Sequence, residues 1–177
     1  MIELERTYLA KYLPEGIKNC KAEDFIDIYF PKTHIHPKIR VRKRGDKYEI
    51  TKKQPVTAGD ASRQEEQTII LNESEFKEFE KLDGKKTHKM RYYYTYQGMP
   101  AEIDVFQRAL NGLVLIDFEF KTVEEKNHFI MPSFCLVEVT QEEFIAGGMI
   151  CGKSYKDIED KLNTFHYSKI LPSQSML

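Results

Sequence analysis

The chain lacks several features that would place it in a common class of protein. Its 27 Lys and Arg residues are balanced by 28 Asp and Glu residues, so no global field draws nucleic acid or an acidic membrane surface. Its three cysteines are an odd number without metal-site spacing, which predicts reduced thiols in a cytoplasmic protein. No apolar run is long enough to span a membrane, and the acids at positions 3 and 5 argue against a signal peptide. We therefore expect neither nucleic acid nor a membrane as a partner.

What the chain does contain is charge in a strand-like pattern. Charged residues make up 31% of the sequence, and many stand two positions apart in segments with the composition of β-strands. Because residues i and i+2 of a strand point to the same face, each pair projects its charges into one space. If the strands close on themselves, that space suits a polyanion held by protein cations and bound metal ions. The pairs are Glu3 and Glu5, Arg40 and Arg42, Lys89 and Arg91, Glu102 and Asp104, and Asp117 and Glu119.

The 177 residues fit one domain, and their pattern predicts eight or nine strands with few helices. Short connections predict antiparallel pairing, and a closed barrel would remove the exposed edges of so many strands. Helices are predicted over 75–82 after an Asn72 cap, near 141–146, and from Ser154 to about Phe165. The predicted strands are 2–9, 25–30, 38–44, 47–53, 63–71, 88–96, 101–106, 113–120 and 134–140.

The charged motifs also resemble a known family in their order along the chain. Glu3-Leu4-Glu5 resembles the paired-glutamate signature of the CYTH superfamily, the triphosphate tunnel metalloenzymes. The likeness covers residues from about 2 to 165. It continues through Ile-Arg-Val-Arg at 39–42, Ile-Thr-Lys at 50–52, Arg63 with Glu65, Lys89-Met90-Arg91, Glu102 to Phe106, Gly112-Leu113, Asp117-Phe118-Glu119 and Glu138-Val139-Thr140.

The resemblance implies an α+β fold: an eight-stranded antiparallel closed β-barrel that forms a tunnel, with a few flanking helices. The tunnel domain would span residues 1–168, followed by a flexible tail at 169–177. Members of the family bind a triphosphate with Mg²⁺ or Mn²⁺, and include inorganic triphosphatases, thiamine triphosphatases and one class of adenylate cyclases.

Two positions depart from the family pattern. The signature continues to a lysine two residues after the second glutamate, and this chain has Thr7 there. The third position of the Arg-x-Glu-x-Glu strand is Gln67. The first departure removes a cation from the tunnel and the second removes an anion, so the net tunnel charge hardly changes.

The acidic pairs are the candidate catalytic and metal-binding residues. Glu3, Glu5 and Glu119 would supply the hard oxygen ligands that Mg²⁺ prefers, and we assign them the catalytic role as well. Asp104 and Asp117 could hold a second ion or its water. The alternative is that these are solvent-facing acids on open strands.

The basic residues of the same strands are the candidate substrate ligands, with an exposed basic face as the alternative. Arginine suits bidentate contacts with phosphate and lysine acts as a point charge. The predicted ligands are Arg40, Arg42, Lys52, Arg63, Lys89 and Arg91.

These residues predict metal-dependent hydrolysis of a triphosphate, either tripolyphosphate or an organic or nucleoside triphosphate. The alternatives are an adenylate cyclase on the same scaffold and a non-catalytic triphosphate binder, which Thr7 makes credible. The expected partner is a small polyanionic substrate, and the protein would be a cytoplasmic monomer or homodimer.

Overall fold

The structure of the protein is a computed structural model that describes residues 2–171, and its strands form one antiparallel sheet. Charged and apolar residues alternate along most of these strands, as the sequence predicts. The strands are β1 (Ile2–Ala10), β2 (Ala22–Phe30), β3 (Ile39–Arg44), β4 (Lys47–Pro55), β5 (Arg63–Leu71), β6 (Lys85–Tyr96), β7 (Met99–Phe106), β8 (Val114–Phe120) and β9 (Cys135–Glu138).

The sheet closes into an eight-stranded barrel, which confirms the predicted fold. The strand order is β5-β4-β3-β2-β6-β7-β8-β1, and the pairing of β5 with β1 closes the ring. The ninth strand, β9, pairs with the end of β1 outside the ring, and the register of this pairing shifts between Leu9 and Ala10. Because every barrel strand has two neighbours, the ring leaves no long unpaired edge.

Most of the apolar core lies on the outer face of the barrel. In β8, Ile116 and Phe118 are fully buried there, and Phe118 contacts Phe129 with ring centroids 4.5 Å apart. Tyr8 of β1 packs on the same cluster, with its ring 6.0 Å from that of Phe118. Packing on this side of β1 and β8 turns the charged residues between these positions toward the interior.

One end of the barrel interior is apolar. Leu9 and Leu115 are register partners and share their face with the charged residues of β1 and β8. Both pack in a cluster with Ile158 and Leu162, so the helical C-terminal region covers this end. The charged part of the interior therefore lies toward the other end.

The helices agree in part with the sequence prediction, and they are α1 (Glu73–Glu80), α2 (Val123–His128), α3 (Gly147–Ile150) and α4 (Tyr155–Thr164). The Asn72 side chain accepts from the Glu75 amide, which confirms the predicted cap. Ser154 precedes α4 as predicted. The segment predicted as a helix near 141–146 contains only a 3₁₀ turn, Glu143–Ile145, before α3. Helix α2 was not predicted.

Helix α1 determines which faces of β3 and β4 point outward. Phe76 of α1 packs with Val41 of β3 and with Tyr48 and Ile50 of β4. Because these apolar residues lie outside, their neighbours Arg40, Arg42 and the lysine at position 53 face inward.

Cys20, Cys135 and Cys151 are free thiols, as predicted. Within residues 2–171, no helix combines the length and apolarity needed to cross a membrane. At the start of the predicted tail, the Ile170 amide donates to the Gly112 carbonyl at 3.0 Å. The rest of that tail, from 172 to 177, lies outside the described residues.

Candidate active site inside the barrel

The inner face of the barrel carries charges of both signs. Among the described strands, carboxylates outnumber cations at inward positions, even when Lys47 and Lys85 at the strand ends are included. The inward carboxylates belong to Glu3, Glu5, Glu23, Asp27, Glu49, Glu66, Glu102, Asp104, Asp117 and Glu119, and the other inward cations belong to Arg40, Arg42, Arg44, Lys53, Lys89 and Arg91.

The predicted acidic residues of β1 and β8 lie side by side. Glu5 is the register partner of Glu119, and Thr7 is the partner of Asp117. The Thr7 hydroxyl donates to Asp117 Oδ1 at 2.6 Å. Glu3 lies next to Glu5 on the same face of β1. The structure thus brings four carboxylates to one wall, which we call the acidic wall: Glu3, Glu5, Asp117 and Glu119.

The acidic wall has the electrostatics of a site that needs a cation. Burial raises the pKa of Asp117 to about 7, and the negative charges of Asp104 and Glu5 add to that shift. Burial also raises the pKa of Glu119, with contributions from the carboxylates of Glu102, Glu3 and Glu5. Asp117 and Glu119 therefore resist ionisation because they are desolvated and because other carboxylates are close.

Asp104 differs from the rest of the predicted metal ligands because cations surround it. Arg91 donates to it at 2.6 and 2.7 Å, and Lys89 forms a close ion pair with the same carboxylate. Burial would raise the pKa of Asp104, but Arg91 and Lys89 outweigh burial and hold the pKa at about 2. Asp104 thus orients two predicted phosphate ligands.

The predicted arginines of β3 face inward. Arg42 forms a bidentate pair with Asp27 at 2.6 and 2.8 Å, and its guanidinium lies 4.7 Å from the centre of the Phe25 ring. Arg40 lies 3.9 Å from a Glu66 oxygen, too far for a hydrogen bond. Buried donors without a hydrogen-bond partner in the described structure are rare, and Arg40 and Arg44 each have one at Nε. The Arg40 donor is available to an anion, and the Arg44 donor lies 3.7 Å from a Glu23 oxygen, too far for a hydrogen bond.

The barrel order places the arginine strand across from the acidic wall. Strands β3 and β8 are four steps apart in either direction around the eight-stranded ring. Arg40 and Arg42 therefore lie on the wall opposite Asp117 and Glu119. A molecule in the interior would have guanidinium groups on one side and carboxylates on the other.

The prediction that Lys52 and Arg63 line the interior is wrong. Lys52 pairs in register with Ile39, which lies on the outer face beside Val41, and its side chain is exposed. Arg63 pairs with Leu4, which packs on the outer cluster, and Arg63 is exposed as well. Because the side chains of a strand alternate between its two faces, an error of one residue in the predicted register places every side chain on the opposite face.

The inward residues of these two strands are the next ones along the chain, which the sequence reasoning missed. Lys53 and Glu66 face inward in place of Lys52 and Glu65. Gln67 also faces outward, so its departure from the family pattern does not change the interior charge. The apolar pair Tyr48 and Ile50 was the available signal, because it shares a face with Lys52 and packs under α1.

Lys53 is the cation that pairs with the two predicted metal ligands of β1. Its Nζ lies 2.9 Å from Glu3 Oε2 and 2.8 Å from Glu5 Oε2. Burial would lower the pKa of Lys53, but the two carboxylates raise it well above its usual value. Among residues 2–171, no three Asp, Glu, His or Cys side chains converge as metal ligands do. The donor chemistry still fits Mg²⁺ or Mn²⁺, since such ions keep several waters and bind few carboxylates.

The closed antiparallel barrel with a charged interior defines a tunnel-type protein, and comparison with known proteins identifies its relatives. The chain is 30% identical over 148 residues to the inorganic triphosphatase of Nitrosomonas europaea. The alignment covers 81% of this chain and 92% of that relative. It therefore belongs to the CYTH superfamily of triphosphate tunnel proteins, together with that triphosphatase. No protein-family model matches the chain.

Solved structures share the fold. A crystal structure of an inorganic triphosphatase has a TM-score of 0.63 and 24% identity, over 85% of this chain and 95% of that chain. A proposed adenylate cyclase from Bacillus halodurans has a TM-score of 0.54 and 16% identity, over 98% of this chain and 95% of that chain.

Proposed function

We propose that the protein hydrolyses a triphosphate, with Mg²⁺ or Mn²⁺, inside the barrel. The observation that carries this proposal is the placement of Arg40 and Arg42 across the interior from the acidic wall. The relative from Nitrosomonas europaea is an inorganic triphosphatase, and its name favours tripolyphosphate as the first substrate to test.

The basic residues would bind the phosphate chain. Arg40 and Arg44 offer buried Nε donors that have no hydrogen-bond partner in the described structure, and Arg91 and Lys89 approach from β6. Because inward carboxylates outnumber inward cations, the protein alone would repel a polyanion. A divalent ion is therefore needed with the substrate, which supports the proposed metal dependence.

Glu3, Glu5, Asp117 and Glu119 would hold the metal ion, which supplies charge neutralisation on the phosphate oxygens. Phosphoryl transfer needs mainly positioning and electrostatic stabilisation, and the arginines opposite these carboxylates provide both. Glu119 has a raised pKa and lies at the exposed part of the wall, so it is our candidate to accept the proton of the attacking water. Asp104 would act by positioning Arg91 and Lys89.

Two finer proposals concern the setting of the protein. We place it in the cytoplasm because its three cysteines are free thiols. We expect it to work as a monomer or homodimer on a small substrate, without nucleic acid or membrane.

A hydrolysis panel tests the function. Purified protein is given tripolyphosphate, thiamine triphosphate or ATP with Mg²⁺ or Mn²⁺, and orthophosphate and cyclic AMP are both measured. We expect metal-dependent orthophosphate release, and a loss on the order of 10²-fold in Glu5→Gln, since removal of one electrostatic partner commonly costs that much. The matched control is Glu65→Gln on the outer face of β5, which should keep its activity.

The outcomes separate the candidate functions. Full activity in Glu5→Gln would contradict the assigned site. Cyclic AMP and pyrophosphate without orthophosphate would replace hydrolysis by cyclase activity. Metal-linked thermal stabilisation by tripolyphosphate without turnover would make the protein a triphosphate binder.

A further inference from the structure

The Lys53 ammonium occupies the space between the two glutamates that open the chain. It forms ion pairs of 2.9 and 2.8 Å with Glu3 and Glu5. Its side chain is 29% exposed, so the contact is sheltered without being sealed. The two carboxylates thus share one positive charge that the chain itself supplies.

The reach of Lys53 across the barrel shows that this contact is specific. Strand β5 lies between β4 and β1, where Gln64 is the register partner of Glu3 and Glu66 is the partner of Lys53. Two strand spacings are about 10 Å, so the lysine stem extends along the inner surface of β5 to reach the glutamates. It pairs with two carboxylates that lie one strand beyond its register partner, Glu66.

We propose that Lys53 is a built-in cation that holds the Glu3–Glu5 pair in the metal-free protein and competes with the divalent ion for it. This inference rests on the proposed metal site. One ammonium gives the pair a single positive charge, which leaves the acidic wall with an excess of negative charge. A divalent ion compensates that excess better, and the same carboxylate oxygens cannot hold both cations closely.

The displaced lysine would bind substrate within the same site. Lysine is a compact charge on a flexible stem, so it can leave the glutamates without a change of backbone. Beside the metal-loaded acidic wall, its ammonium would contact the phosphate chain. Lys53 therefore opposes metal binding in the empty protein and supports substrate binding in the loaded one.

Mn²⁺ binding to the substrate-free protein tests the inference by calorimetry. We expect Lys53→Met to bind Mn²⁺ about tenfold more tightly than the natural protein, and its KM for tripolyphosphate to rise. The matched control is Lys52→Met, which removes the adjacent lysine on the outer face and should leave Mn²⁺ affinity unchanged.

A second variant keeps the test decisive if Lys53→Met folds poorly. Lys53→Arg preserves the charge and can bind both carboxylates through its planar fork, so it should weaken Mn²⁺ binding several-fold. Equal Mn²⁺ affinity in all the position-53 proteins would overturn the inference and leave the proposed function standing. Weaker binding in Lys53→Met would overturn it too, because Lys53 would then organise the glutamates. Absence of Mn²⁺ binding in every protein would refute the metal site as well.

Discussion

Asp117 and Asp104 face the same interior, yet neutralising them should change stability in opposite directions. Asp117 accepts a hydrogen bond from Thr7, and Arg91 Nη2 lies 3.7 Å from its carboxylate, too far for a hydrogen bond. Asp104 forms close ion pairs with Arg91 and Lys89. Asp117→Asn should therefore stabilise the metal-free protein at alkaline pH, and Asp104→Asn should destabilise it.

The pKa of Asp117 gives the magnitude and the sign. Folding raises it from 3.8 to about 7, so the folded protein binds this proton more tightly than the unfolded chain. The resulting stability is fully present below pH 3.8 and is lost as pH rises through 7. At about 1.36 kcal/mol per unit, the loss is at most about 4 kcal/mol above pH 7. Because the side chain is 21% exposed, we discount this to about 1–2 kcal/mol for solvent screening.

Asparagine keeps the shape of the protonated acid and cannot ionise, so it removes this loss. At pH 8.5 the free energy of unfolding of Asp117→Asn should exceed that of the natural protein by about 1–2 kcal/mol. At pH 5 the gain should be about a third of that value. Asp104→Asn should lose about 3–5 kcal/mol at pH 8.5, because it leaves two buried cations without their partner.

Urea unfolding in EDTA at the two pH values measures both variants. A gain of about 1–2 kcal/mol corresponds to a few degrees in melting temperature for a chain of this length, about 2–4 °C per kcal/mol. The reasoning fails if Asp117→Asn is destabilising at pH 8.5, or if its gain is the same at both pH values.

Two further predictions concern stability away from the acidic wall. Arg42→Met should cost about 3–5 kcal/mol in urea unfolding, because it leaves the buried Asp27 carboxylate unpaired. Addition of Asp27→Asn should recover part of that loss, and a purely additive double variant would refute the pairing. Asn72→Ala should cost about 1 kcal/mol in thermal unfolding, because it removes the side-chain acceptor at the start of α1. An unchanged melting temperature would show that α1 does not depend on this cap.

The sequence predicts the barrel and most of its inner face because apolar residues separate the charge pairs of β1, β3 and β8, as at Leu4, Val41 and Phe118. On β4 and β5 the prediction was wrong by one residue. Lys52 and Lys53 are adjacent, as are Glu65 and Glu66, so charge appears on both faces and alternation alone does not choose between them. The packing of Phe76 on Tyr48 and Ile50 makes the choice, and this is a tertiary contact.

The connections outside the barrel were harder to predict for a related reason. Helix α2 is only six residues long and buries none of them, so its sequence carries no apolar stripe to reveal it. Strand β9 lies within the predicted strand 134–140, but the sequence did not reveal its pairing with β1 beyond the ring, where the register shifts between Leu9 and Ala10. Such features are set by neighbours in space and leave little local pattern.

Thr7 connects the family pattern to the electrostatics of this particular site. The position faces Asp117, and a lysine there would place an ammonium beside that carboxylate and lower its pKa. The threonine offers only a hydroxyl donor, so burial and the neighbouring acids prevail and the pKa of Asp117 rises to about 7. The acidic wall then has Lys53 as its principal cation, bound at Glu3 and Glu5 rather than at Asp117. Because Thr7 supplies no positive charge, the acidic wall needs a divalent ion more than it would with the signature lysine. Exchange of Lys53 for that ion raises the positive charge at the wall.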